Sequence, residues 1–171
     1  MGLDMYLTEE KYIGKYLHKK MADGGCMAIE TKDCQITVTR TFEKDGKNKK
    51  NIVRFKPDLD ISGAKVVLPI FYWRKANAIH KYFVDKCGDG EDDCKSLYVS
   101  YDDLTELRDR CRLVLKDHSR ASELLPTCSG FFFGSTEYDE YYFLDLKETA
   151  DMIDKINLDD DTGDFYYRAS W

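Results

Sequence analysis

Proline, histidine and long apolar runs are scarce in this chain, and each shortage excludes something. The three prolines, Pro57, Pro69 and Pro126, are too few for a Pro-rich linker, and each falls near an apparent element boundary. No run of about 18 apolar residues exists, so a hydropathic membrane span is not expected. Asp4 stands where a signal peptide needs a charged and then apolar pattern, and the expected location is the cytoplasm. The three histidines, His18, His80 and His118, lack an H-E-x-x-H or comparable spacing. Six cysteines are present (Cys26, Cys34, Cys87, Cys94, Cys111 and Cys128), but no C-x-x-C pair, which favours reduced, mostly buried thiols over a zinc site. No P-loop, G-x-G-x-x-G or G-x-S-x-G motif occurs. Asp159-Asp160-Asp161-Thr162-Gly163-Asp164 has the acids of a calcium loop, but glycine is not sixth and the twelfth-position glutamate is missing. Neither a metal nor a cofactor is expected.

What remains is an apolar and strongly charged chain. With 171 residues, 43% apolar and 13% aromatic, it can bury one substantial core, so a single domain over residues 1–171 is expected. Charge is segregated within the overall balance of -6. Between Arg40 and Lys56, seven bases face only Glu43 and Asp45, a local balance of +5. Between Glu137 and Asp164, eleven acids face only Lys147 and Lys155, a balance of -9. Both segments could be ordinary solvated faces. The acidic one could also meet a basic groove built for nucleic acid, because complementary fields speed encounter and fix orientation.

Periodicity predicts an α+β fold: an antiparallel sheet packed by about three helices, with a protruding basic β-hairpin. Leu3, Met5 and Leu7 alternate with polar neighbours as a strand would. Ile36 to Phe42 and Val53 to Phe55, separated by Asp45-Gly46, read as the hairpin, with Lys44, Lys47, Lys49 and Lys50 near its tip as a weaker candidate for nucleic-acid contact. Val66 to Tyr72 reads as an edge strand because it contains Pro69. Helices are predicted from Trp73 to about Cys87, from a capping box at Ser100 and Asp103, and from a similar device at Asp145 and Glu148. Phe165, Tyr167, Ala169 and Trp171 form a closing strand.

Two places could carry function. Ser129 to Phe143, SGFFFGSTEYDEYYF, reads as an aromatic hairpin whose apolar ends pack while Glu137, Tyr138, Asp139 and Glu140 face solvent; with Asp159, Asp160 and Asp161 these form a candidate partner-binding surface. On the helix from Trp73, Asn77 and His80 lie on or beside the apolar stripe with Arg74 on a flank. His80 could be a hydrogen-bonded core residue. Alternatively His80, Asn77, Arg74 and Glu137 could line a pocket for phosphodiester cleavage, for example of a guide RNA, with His80 as acid or base and Arg74 on a phosphate.

MGLDMYL at the start, WRKANAIHKYFV from Trp73 and LLPTCSGFFFGSTEYDEYY from Leu124 together resemble a family of small proteins encoded by phages, prophages and other mobile elements of bacteria. The resemblance implies context. The partner would be a host protein or ribonucleoprotein of the bacterial cytoplasm, and the function inhibition of host defence in the anti-CRISPR manner, acting on a Cas effector such as Cas9. In that setting the acidic surface would stand in for phosphates, and RNA contact through the basic hairpin or a homodimer would be compatible. No catalytic residue carries over from the resemblance, so a non-catalytic binding protein is the leading expectation and the enzyme its alternative.

Overall fold

The computed structural model describes residues 2–14, 18–20, 26–32, 35–44, 47–55, 63–156 and 163–171. In chain order the elements are strands β1 (Asp4–Gly14), β2 (His18–Lys20), β3 (Cys26–Lys32), β4 (Gln35–Lys44), β5 (Lys47–Phe55) and β6 (Gly63–Arg74), then helix α1 (Asn77–Cys87), strand β7 (Leu97–Val99) and helix α2 (Tyr101–Lys116). A 3-10 turn (His118–Arg120) and the one-turn helix α3 (Ala121–Leu124) lead to helix α4 (Glu140–Ile153) and strand β8 (Asp164–Ser170). The fold is α+β, with one sheet ordered β6-β1-β8-β7 and another ordered β2-β3-β4-β5.

The chain divides into two compact units. One holds Met1–Thr8, Pro69–Asp154 and Asp164–Trp171, the other Glu9–Leu68 and Lys155–Gly163. Composition does not mark the boundary because it falls inside elements: β1 and β6, at 11 and 12 residues, each contribute to both units.

The first unit is built on alternation. Leu3, just before β1, and Met5 and Leu7 along it are buried while Asp4, Tyr6 and Thr8 face the other way. On β8, Phe165, Tyr167 and Ala169 are buried between exposed or half-buried neighbours. β7 pairs antiparallel with β8, Tyr98 opposite Tyr166. The helices cover the buried face: the Phe83 ring of α1 stacks on Tyr167 at 4.3 Å, and Trp73 Nε1 donates to Thr149 Oγ1 of α4 at 2.8 Å. Each large side chain so enclosed contributes about 1.5–3 kcal/mol relative to exposure.

Helix α2 starts at the expected capping box. Ser100 Oγ accepts from Asp103 N, the Asp103 carboxylate accepts from Ser100 N, and Leu104, Leu107, Cys111 and Val114 follow on the buried face at helical spacing. Helix α1 begins later than predicted, at Asn77, because β6 continues through Trp73 and Arg74. Lys75 makes the turn between them with φ 61°, a conformation that costs a residue with a Cβ.

The largest departure concerns Ser129 to Phe143, which is not a hairpin. Residues 126–139 form an irregular loop, and Glu140 already belongs to α4. Asp139 caps that helix by accepting from Tyr141 N and Tyr142 N, and Tyr142, Leu146, Ala150 and Ile153 are buried at helical spacing. Asp145 and Glu148 therefore lie inside the helix instead of opening it. Only Phe133 and Tyr142 among the clustered aromatics are buried; Phe131 is 95% exposed and Tyr141 69%.

In the second unit, β4 and β5 pair antiparallel with Lys44 opposite Lys47, so the hairpin strands are where the pattern put them, and the turn at 45–46 lies outside the described residues. Glu9 and Lys11 share the buried face of β1 and pair at 3.3 Å, and Gly163 N donates to Glu9 Oε1 at 2.9 Å. A Cβ at Gly163 would lie 2.3 Å from the Glu10 carbonyl oxygen, so the position admits no side chain without moving backbone. Cys87, Cys94, Cys111 and Cys128 are free.

Candidate functional site

The first turn of α1 gathers three separate stretches of chain. Lys75 N donates to Leu3 O at 2.8 Å, and Leu3 N donates to Phe132 O at 3.1 Å. Asn77 is the knot: its Nδ2 donates to Phe133 O (3.2 Å) and Ser135 O (2.7 Å), while its Oδ1 accepts from Cys128 N (3.3 Å). A loop with no internal ladder must satisfy its backbone elsewhere, and this buried amide does so. Gly134, at φ 88°, lets the loop pass over Lys75: a Cβ there would sit 3.2 Å from the Lys75 Cβ.

Beside this knot lies a cleft of about 350 Å³. One wall carries Arg74, Lys75 and the start of α1, whose amides bear the positive end of the helix dipole. The other carries Glu137, Asp139, Asp145 and the exposed ring of Tyr141. Among the described residues no ion pair joins the two walls. The Asp139 carboxylate is committed to capping α4, whereas Asp145 is half-buried and receives no side-chain hydrogen bond. Burial, then the charges of Glu148 and Asp139, push the Asp145 carboxyl up to about 6. The cleft can therefore accept a cation against its acidic wall or an anion against Arg74 and Lys75. It contains no serine, cysteine or lysine held by a base in the manner of an activated nucleophile.

His80 does not join the cleft. It lies three residues beyond Asn77, about 60° around the helix, and that turn is enough to send it elsewhere. Its ring is buried, with Nε2 3.0 Å from Asp92 Oδ2 and Nδ1 2.7 Å from the Tyr167 hydroxyl. The Asp92 carboxylate and the Tyr167 hydroxyl thus occupy both ring nitrogens. Tyr167 keeps its proton, because burial and then the Asp92 charge push its phenol well above the ordinary range. His80 thus ties the loop at residues 88–95 to the core.

Of the four residues proposed for catalysis, then, Arg74, Asn77 and Glu137 line one cleft, His80 lies apart, and the Asn77 amide is fully engaged. Among the acidic-surface residues, Glu137, Tyr138 and Glu140 are exposed, while Asp159, Asp160 and Asp161 lie outside the described residues. Lys44, Lys47, Lys49 and Lys50 belong to β4 and β5, and their side chains likewise lie outside the described residues. Lys75 was not singled out from the sequence, and Asp145 was read there only as part of a helix cap. Reading Asp139 as a helix cap would have revealed Tyr141 and Asp145, four residues apart, on one side of α4.

Among the described residues no three His, Cys, Asp or Glu side chains cluster as a metal site, and no helix is long and apolar enough to cross a membrane. Compared with protein-family models, curated proteins and solved structures, the chain matches none.

Proposed function

We propose that this chain is a non-catalytic binding protein that takes a basic side chain of a partner protein against the acidic wall of the α1 cleft. Asp145 carries the reading. A half-buried carboxylate whose charged neighbours are all acids is destabilised in the free protein, and an incoming guanidinium would relieve it. Tyr141 in the cleft lining and the exposed Tyr138 supply rigid, amphipathic contact area of the kind that anchors interfaces. The resemblance to phage and prophage proteins suggests the partner: a host nuclease complex of the Cas9 type, rich in Lys and Arg where it holds nucleic acid, which the bound protein would occlude. The phosphodiester-cleaving alternative is not carried forward, because its base, His80, is occupied by Asp92 and Tyr167 outside the cleft.

The test is co-purification of wild type and of the Glu137→Lys/Asp145→Asn variant with a Cas9-type effector, with and without guide RNA. Wild type is expected to bind and inhibit while leaving the RNA intact, and the variant to do neither. Unchanged binding by the variant would refute the acidic-wall reading, and shortened guide RNA would restore the enzyme.

A further inference from the structure

The outer face of the sheet β6-β1-β8-β7 carries one tyrosine from each strand: Tyr72, Tyr6, Tyr166 and Tyr98. The helices cover the opposite face, through Phe83 on Tyr167 and Trp73 on Thr149. Tyr6, Tyr72 and Tyr98 are 42%, 47% and 54% exposed, which is high for aromatic residues in the middle of strands. The rings meet in two pairs, Tyr6 with Tyr72 at 5.3 Å and 47°, and Tyr98 with Tyr166 at 5.9 Å and 74°. Neither pair is stacked face to face, so π-faces remain for a ligand.

Charge on this face distinguishes the occupant. Arg74 and Arg168 lie two residues beyond Tyr72 and Tyr166 on the same strand faces, both exposed, and among the described residues neither is paired with a carboxylate. Asp4, the acid between them on β1, accepts the Tyr72 hydroxyl. Asp164 stands at the far end of β8. A purely apolar partner would leave both guanidinium groups desolvated without compensation. A duplex would offer phosphates but no base faces, since its bases are stacked on each other.

We infer that this tyrosine face binds single-stranded nucleic acid, with bases laid on the rings and phosphates held by Arg74 and Arg168. Stacking on aromatic rings beside a few cations is the general chemistry of sequence-tolerant single-strand recognition. The surface shares Arg74 with the basic wall of the cleft and nothing with its acidic wall, and it does not depend on the basic hairpin.

The experiment is fluorescence anisotropy of a labelled 12-nucleotide single strand, as RNA and as DNA, and of the matching duplex, titrated with the full chain. Single strands should bind and the duplex should bind more weakly. Tyr6→Ala and Tyr98→Ala should each weaken binding about 5- to 150-fold, the range for losing one stacked base. Tyr98→Phe, which keeps the ring, should bind like wild type and shows that any loss in Tyr98→Ala is not misfolding. Arg168→Ala should lower the slope of log affinity against log salt by about 0.7. Equal or tighter duplex binding, no binding of either strand, or binding lost only when Lys44, Lys47, Lys49 and Lys50 are neutralised would each overturn the assignment. Self-association through the same tyrosines in sedimentation, without oligonucleotide binding, would overturn it in favour of a second copy of the chain.

Discussion

Replacing Asp145 by Asn should make the protein more stable at neutral pH while weakening partner binding. The Asp145 carboxyl rises from 3.8 to about 6 on folding, first through burial and then through Glu148 and Asp139. Each tenfold change in proton affinity is worth about 1.4 kcal/mol, so the rise corresponds to roughly 3 kcal/mol against the charged form. The side chain is only half-buried and solvent screens it, which brings the expected gain to about 1–2 kcal/mol. The sign follows from proton linkage. The folded state holds the proton more tightly than the unfolded chain, so this site favours folding below about pH 4 and loses that contribution as pH rises through about 6. Wild type and Asp145→Asn should thus be about equally stable at pH 4 and diverge by pH 7, with the variant ahead. Urea titrations at pH 4, 5, 6 and 7 measure this through the midpoint at constant m. A variant that is less stable at pH 7, or a difference that does not change with pH, would refute the account. If the carboxylate also receives a basic side chain, the affinity of wild type for its partner should fall as pH drops through about 6, and that of the variant should be lower and flat.

Two further outcomes follow from the packing. Asn77→Ala removes three hydrogen bonds that hold residues 128–135 and should cost about 2–4 kcal/mol, read as a lowered urea midpoint and faster proteolysis within that loop. Gly163→Ala places a methyl group 2.3 Å from the Glu10 carbonyl and displaces the amide that Glu9 accepts from, so a loss of about 2–4 kcal/mol is expected in thermal or urea unfolding; a neutral result would show that the β1 backbone yields easily there.

Where local rules suffice, sequence and structure agree for identifiable reasons. The Ser100 capping box, the alternation along β1 and β8, and the pairing of β4 with β5 depend on residues close in the chain, so they can be read directly. Pro69 implied an edge strand, and β6 is one. The segment from Ser129 was misjudged because aromatic density resembles a strand, whereas Asp139 decides the matter by capping a helix that buries Tyr142 and Leu146.

The candidate site was only partly legible. Arg74, Asn77 and Glu137 could be grouped from the helix wheel and the acidic motif, and they do share a cleft. Asn77 and His80 could not be told apart, since both are polar groups near one apolar stripe. A rotation of about 60° gives one the loop carbonyls and the other Asp92 and Tyr167.

By itself, then, the sequence determined an α+β chain with segregated charge, an amphipathic α2 and strands at both ends, because alternation, helical period and capping act over a few residues. Only the tertiary structure decided that Asp145 lines a cleft without an ion-pair partner, that His80 is a core tie, and that tyrosines at positions 6, 72, 98 and 166 form one surface. Those depend on strand order and on burial, which arise from contacts between residues up to 158 positions apart and leave no local mark.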